Sequence, residues 1–504
     1  MEQVTMSSLT GLIQKVSHGF SSLRGSPAEL WKAYVLKFLD SYSYFSFSII
    51  FTLFLSDDFG FSDIQAGVVY GVWGTLITIY GLIAGWIADN LGVAQSLRIG
   101  FLLSLIARIC ILLTTSRQWL LFHIYLTLPM GNCLGIPMLT VGIRRYTNEI
   151  NRGFAFGLFY VIMNVAALVS GPVVDILTIW YNKGDTVDAN DDVWAVKEWS
   201  LTSYRAIILT GVIANVGACL VSFTVREIKV DDNASLGADE GNSAEDDEAT
   251  PASVLTFQPK GGHALEIIKE TLQAKAFWRF VVVCLITLNV RMIFRHLDAT
   301  LPKYMVREFG DNVPKGTIYS INPALIIILV PLITAATTQV DPLIMIHHGS
   351  YISAASVFFL VMSTSIWACI LFIIVLSIGE AIWSPRLYDY AMSVVKEGRE
   401  GTYMALSSAP LFLAKLPVGF MSGYLLQKYC PEEGERHSKT MWLIIGVMTA
   451  TSPILLTLLW GYVSKRDDDD DKYTELRDVV EIEPLPERTN GLGQRVTVIN
   501  GVLL

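Results

Sequence analysis

Between Trp31 and Val463 the chain returns about twelve times to an apolar run of roughly 20 residues, long enough to cross the hydrocarbon core of a bilayer. Backbone inside hydrocarbon must satisfy its own hydrogen bonds, and an α-helix does so within a single segment. The chain is therefore expected to be an all-α membrane protein with twelve transmembrane helices. Spans fall near 31–55, 64–88, 97–115, 118–142, 153–178, 202–225, 276–302, 317–340, 343–363, 365–391, 402–427 and 440–463. Charged residues make up only 16% of the sequence, against about 25% in soluble domains.

Polar stretches divide the row of spans. Asp231 to Ser253 is rich in Asp, Glu, Gly, Ser and Ala and cannot bury a core. The expected organisation is an N-terminal segment (1–30), a six-helix half (31–225), an acidic linker (226–275), a second six-helix half (276–464) and an acidic tail (465–504). The net charge of -9 reports mainly that linker and tail, not a surface for nucleic acid. The first apolar run is too long for a cleaved signal peptide and reads as a helix that stays in the membrane.

Cytoplasmic loops gather Lys and Arg. Arg144, Arg145 and Arg152 follow the fourth span, whereas Asp57, Asp58 and Asp63 follow the first. Both termini and the linker are thus expected in the cytoplasm, in a plasma or endolysosomal membrane. Lys303 and Arg307 read as outer-loop charges. The cysteines lie mainly inside spans and suggest no disulfide framework. Gly81-x-x-x-Gly85 and Gly419-x-x-x-Gly423 are either traces of an internal repeat or small residues for close helix packing.

Three motifs carry a family likeness. Gly85-Trp86-Ile87-Ala88-Asp89-Asn90-Leu91-Gly92 resembles the G-x-x-x-D-x-x-G core of the major facilitator loop between helices two and three, with Val93-Ala94 in place of its basic pair. This likeness implies the major facilitator fold and a gating role for Asp89; a solvated helix-end acid is the plainer reading. Gly379-Glu380-Ala381-Ile382-Trp383-Ser384-Pro385 is similar to the G-E-x-x-x-S-P segment of the proton-coupled oligopeptide transporter family. Phe159-Tyr160-Val161-Ile162-Met163-Asn164 is similar to that family's F-Y-x-x-I-N signature. By resemblance Glu380 meets a substrate amine, and Tyr160 and Asn164 line the site. The family's first-helix E-x-x-E-R-F-x-Y-Y corresponds to Lys37-Phe38-Leu39-Asp40-Ser41-Tyr42-Ser43-Tyr44-Phe45, so its arginine is Ser41 here. Its G-G-I-K-P run has no lysine counterpart at Leu134-Gly135-Ile136-Pro137. The roles of those two charges are not carried over.

Charges inside spans are costly and point to cavities or partners. In the seventh span Arg291, Arg295 and Asp298 share one helix face, so Asp298 can neutralise Arg295 while the deeper Arg291 suits a carboxylate or phosphate. An ion network that fixes packing or gating is the structural alternative. Lys415 in the eleventh span is a candidate substrate-binding residue, suited with Arg291 to an organic anion, and is expected to find an acid, Asp40 or Glu380, in a pair that either biases the switch between inward- and outward-open states or is structural glue. Asp40 is either a proton acceptor or the partner of Lys37. Arg108, His123 and Asp175 are second-rank candidates without a recognisable partner. His296 reads as a packing residue, and the His347-His348 pair, without further ligands, reads as loop.

The leading reading is a secondary transporter that moves a small polar solute, peptide- or amino-acid-like, by alternating access. An organic-anion transporter and a non-transporting sensor of the same fold are the alternatives. No P-loop, H-E-x-x-H or nucleophile elbow is found, so no enzyme activity, cofactor or metal is expected. The expected partners are the solute, protons or another coupling ion, and the bilayer.

Overall fold

The computed structural model describes residues 19–181, 199–227, 275–337, 340–393 and 414–464, with four two-residue strands between 488 and 503. Most of the expected linker and tail lies outside the described residues.

Apart from those strands the described elements are helices. Six precede the linker: α1 (Ala28–Asp57), α2 (Asp63–Leu91), α3 (Val93–Leu113), α4 (Arg117–Arg145), α5 (Glu149–Trp180) and α6 (Ser203–Thr224). Six follow it: α7 (Phe277–Ala299), α8 (Lys315–Ala336), α9 (Pro342–Met362), α10 (Ile366–Ser393), α11 (Lys415–Tyr429) and α12 (Ser438–Leu458). Eleven are long and apolar enough to cross a membrane, and α11 is the described part of the remaining expected span.

Local chemistry sets the boundaries. Asn148 and Asn151 cap α5 reciprocally, and the hydroxyl of Thr202 accepts the Arg205 N–H at the start of α6. Gly92, at φ +80°, makes the sharp turn from α2 to α3. Pro302 lacks the N–H that would bond the Asp298 carbonyl, and the helix breaks at Thr300 before continuing as Leu301–Phe309. Lys303 and Arg307 therefore belong to a helical extension of α7, where the sequence reading had an outer loop. His347 and His348 also lie within a helix rather than a loop, because Asp341 caps it and Pro342 starts it.

The halves meet at two glycine crossings. A Cβ at Gly67 of α2 would run into the Gly419 carbonyl of α11, and one at Gly171 of α5 into the Gly316 carbonyl of α8. Only hydrogen on these α-carbons lets the backbones approach so closely. Gly423 packs on Asp63 and Ile64 in the same way, whereas a Cβ at Gly81 meets nothing within 4 Å among the described residues. The packing reading thus holds for Gly419 and Gly423, while Gly85 lies outside the described side chains. A buried apolar cluster containing Phe51, Tyr70, Trp73, Ile293, Phe372 and Trp442 runs through both halves.

Candidate functional site

Successive helices alternate in direction, so the two crossings lie at the end of the bundle opposite the start of α1 and the end of α12. There Asp175 accepts hydrogen bonds from the backbone N–H groups of Gly316 (2.8 Å) and Thr317 (2.7 Å), so an N-half carboxylate caps a C-half helix. Ser320 donates to the Leu168 carbonyl at 3.1 Å. Between α1 and α7, Thr52 donates to the Ala299 carbonyl at 3.4 Å. Asp63 accepts from Lys303 at 2.7 Å and from Arg307 at 2.8 Å, and Lys303 also donates to Ser56 at 2.5 Å. These contacts seal one face of the molecule.

The sequence reading did not assign this seal. Asp63, Lys303 and Arg307 served only as loop charges, and Asp175 had no visible partner because its partner is backbone. The spacing of Lys303 and Arg307, one helical turn apart just after Pro302, was the available signal.

About two to three helical turns inward from the Gly171–Gly316 crossing, at 1.5 Å per residue, lies a polar layer that contains expected site residues. On α5 Asn164 sits one turn below Ala167 and Leu168, and its amide donates to the Tyr160 carbonyl at 3.0 Å. Tyr160 is exposed, at 37%. On α8 Asn322 lies just below Ser320; its amide donates to Glu380 of α10 at 2.8 Å and to Ser377 at 3.0 Å. The Glu380 carboxylate is thereby oriented within the field of Arg291 and Arg295.

On α7 Arg295 pairs with Asp298 at 3.4 Å, as the shared face predicts. Asp298 also accepts from the Tyr70 hydroxyl at 3.2 Å, which ties α7 to α2 across the halves. Arg291, one turn deeper, is buried with its guanidinium 5.4 Å from the Trp383 ring. His296 is buried and bonded to Thr300 at 2.6 Å, a packing role as expected.

Lys415 corrects an expectation. Neither Asp40 nor Glu380 pairs with it: its ammonium donates to the Tyr44 hydroxyl at 2.7 Å and lies 4.3 Å from the Trp73 ring centre. Aromatic faces replace the missing anion because their quadrupole attracts a cation even without net charge. Asp40 is buried on α1 about one turn below Tyr44, and its Oδ2 has no hydrogen-bond partner among the described residues. Lys37 lies over the Phe159 ring at 4.7 Å and makes no direct contact with Asp40, yet Asp40 sits in the field of Lys37 and of Arg108, so the two cations share this carboxylate electrostatically.

At the end where α1 starts and α12 finishes, the side chain of Asp89 lies outside the described ones. The neighbouring turn is nevertheless held: Glu227, just past α6, accepts from the backbone N–H groups of Val93 (3.0 Å) and Ala94 (2.7 Å) and pairs with Arg145 at 3.0 Å. Where the family motif has a basic pair, this chain uses a carboxylate on the amino end of α3.

A fold of two such halves around a buried polar layer is that of a known superfamily. A sequence profile of the Major Facilitator Superfamily matches residues 33–414, and the chain belongs to that superfamily. A curated relative, dipeptide and tripeptide permease B of Aeromonas hydrophila subsp. hydrophila, is 24% identical over 186 residues. The match takes in 36% of this chain, and the chain spans only 34% of that permease's length. Among solved structures, a POT family transporter in complex with 5-aminolevulinic acid superposes with TM-score 0.66 at 15% identity, over 88% of this chain and 98% of that one. The peptide transporter POT in complex with sulfate gives 0.63 at 15% identity, over 87% and 96%. At these identities the likeness establishes the fold.

Proposed function

We propose that this protein is a secondary active transporter that moves a small peptide- or amino-acid-like solute by alternating access, driven by a gradient of protons or another ion. The observation that carries this reading is the polar layer of Glu380, Asn322, Arg291 and Arg295, buried beneath a face where the two halves are sealed together. A buried carboxylate oriented by an amide suits a substrate ammonium, and a buried guanidinium suits a carboxylate. Tyr160 and Asn164 complete the lining from the other half. Arg295, Asp298 and Asp40 serve coupling or gating, since the Asp298–Tyr70 bond crosses between the halves, and Asp89 serves as a gating acid at the cytoplasmic end. The permease match, though partial, supports the substrate class.

Arg144, Arg145 and Arg152 at the terminus end support cytoplasmic termini. The sealed face is then the outer one, and the acidic linker and tail are cytoplasmic. The substrate class is tested by displacement of a labelled dipeptide from the purified protein with excess dipeptide, amino acid or dicarboxylate. Displacement by the dipeptide or amino acid is expected; displacement by the dicarboxylate alone would make the protein an organic-anion carrier.

A further inference from the structure

Lys415 belongs to α11 of the C-half, yet its ammonium sits among side chains of the N-half. It lies 4.3 Å from the ring of Trp73, 5.1 Å from Tyr44 and 5.4 Å from Tyr70, all within the roughly 6 Å over which an aromatic face attracts a cation. Gly74 makes room for it, since a Cβ there would run into the Lys415 side chain. Lys415 is 1% exposed, so the ammonium has exchanged its hydration shell for three rings and one tyrosine hydroxyl.

The cage is built without Lys415. Trp73 stacks on Phe51 at 5.0 Å and on Tyr44 at 5.7 Å, and the Tyr70 hydroxyl is anchored on Asp298 at 3.2 Å. Rings held in this way form a preorganised box whose chemistry selects an ammonium group and does not require that it be a lysine's.

We propose that the Tyr44, Tyr70 and Trp73 rings form a binding site for the alkylammonium group of a small organic cation, and that Lys415 is its tethered occupant, expelled when that cation binds. Cage and lysine ride on opposite halves, one turn below the Gly67–Gly419 crossing. Exchange of the tethered ammonium for a free one therefore cuts a link between α2 and α11 directly beneath the seal. This consequence rests on the alternating-access reading; the affinity of the cage for ammonium does not. A tethered competitor acts at an effective concentration in the millimolar range or above, so it weakens any free cation in the intact protein.

The test is titration of full-length protein in detergent with tetramethylammonium chloride against a sodium chloride control. Lys415→Met should bind the probe at least about tenfold more tightly than the unmodified protein, and adding Trp73→Leu should abolish that gain. In the unmodified protein, reductive methylation read by mass spectrometry should leave Lys415 unlabelled, and saturating tetramethylammonium should expose it. Equal affinity with and without Lys415, or labelling of Lys415 that the probe does not change, would overturn the proposal. The labelling arm decides the matter if Lys415→Met does not fold. Failure in both arms with dipeptide uptake intact removes the cage and leaves the transport reading standing; probe binding without any uptake does the reverse.

Discussion

Asp63 at the start of α2 and Arg307 in the extension of α7 are joined by two hydrogen bonds of 2.8 Å, one from each terminal guanidinium nitrogen. Lys303, one turn earlier, reaches the same carboxylate at 2.7 Å. All three side chains are at most 9% exposed, so the contact is little screened by water. Because Asp63 and its cations belong to different halves, this stabilisation exists only while the face is sealed.

Asp63→Asn leaves two buried cations facing each other without their anion. Breaking a buried pair from one side costs about 3–5 kcal/mol, here charged against the sealed state alone. Spin labels placed across that face should show longer and broader distances by pulsed EPR. An unchanged distribution would mean that the glycine crossings hold the seal without help.

Gly419→Val puts a branched β-carbon where the Gly67 carbonyl and the Gly71 backbone lie. Backbone cannot yield as a side chain can, so α2 and α11 should separate and uptake should fall at least about tenfold while the protein still reaches the membrane. Gly81→Val, by contrast, meets nothing within 4 Å of its Cβ among the described residues and should leave uptake unchanged.

The twelve spans were legible in the sequence because bilayer thickness imposes one length on each, and the mid-span charges were legible because each is an exception to that pattern. Pairing across the halves was not. Arg295 and Asp298 share a helix face and their bond follows from spacing, whereas nothing local joins Lys415 to Trp73 or Asp63 to Arg307, some 240 residues apart. The search for an acid beside Lys415 failed for a related reason: in sequence, aromatic residues read as core, and only their placement turns them into a cation site. Asp175 was opaque because it binds backbone, which carries no sequence signature.

Asp58 follows α1 outside the spans. Burial pushes its carboxyl up to about 6, although the Thr202 hydroxyl and the Arg205 guanidinium both favour its charged form. Unfolded, it titrates near about 3.9, so the folded chain holds the proton more tightly. The stability this proton contributes is fully present below about pH 4 and is lost as pH rises through about 6. Melting temperature should therefore fall by a few degrees between about pH 5 and pH 7.5, and the fall should shrink in Asp58→Asn. The same slope in both proteins would assign the pH dependence to another group.

Glu227→Ala removes the carboxylate from two backbone donors of α3 and from Arg145. With Glu227 about a third exposed, the loss should resemble that of a helix cap, about 1 kcal/mol. Thermal unfolding should show it as a small drop, and hydrogen exchange should rise first at Val93 and Ala94.

Glu380→Gln keeps the shape of the side chain that Asn322 holds but removes its charge. Uptake of amine-bearing solutes should fall about tenfold or more, as for loss of a charge-assisted bond, whereas Arg291→Ala should weaken handling of solutes through their carboxylate. Normal uptake by well-expressed variants would take both residues out of the site.

Uptake of a labelled dipeptide into proteoliposomes of the purified protein, with and without an imposed inward proton gradient, tests the central claim most directly. Saturable uptake that the gradient stimulates, and that Glu380→Gln depresses, is the predicted result. Dipeptide binding with no uptake under any imposed ion gradient would contradict transport and leave a membrane-embedded sensor in its place.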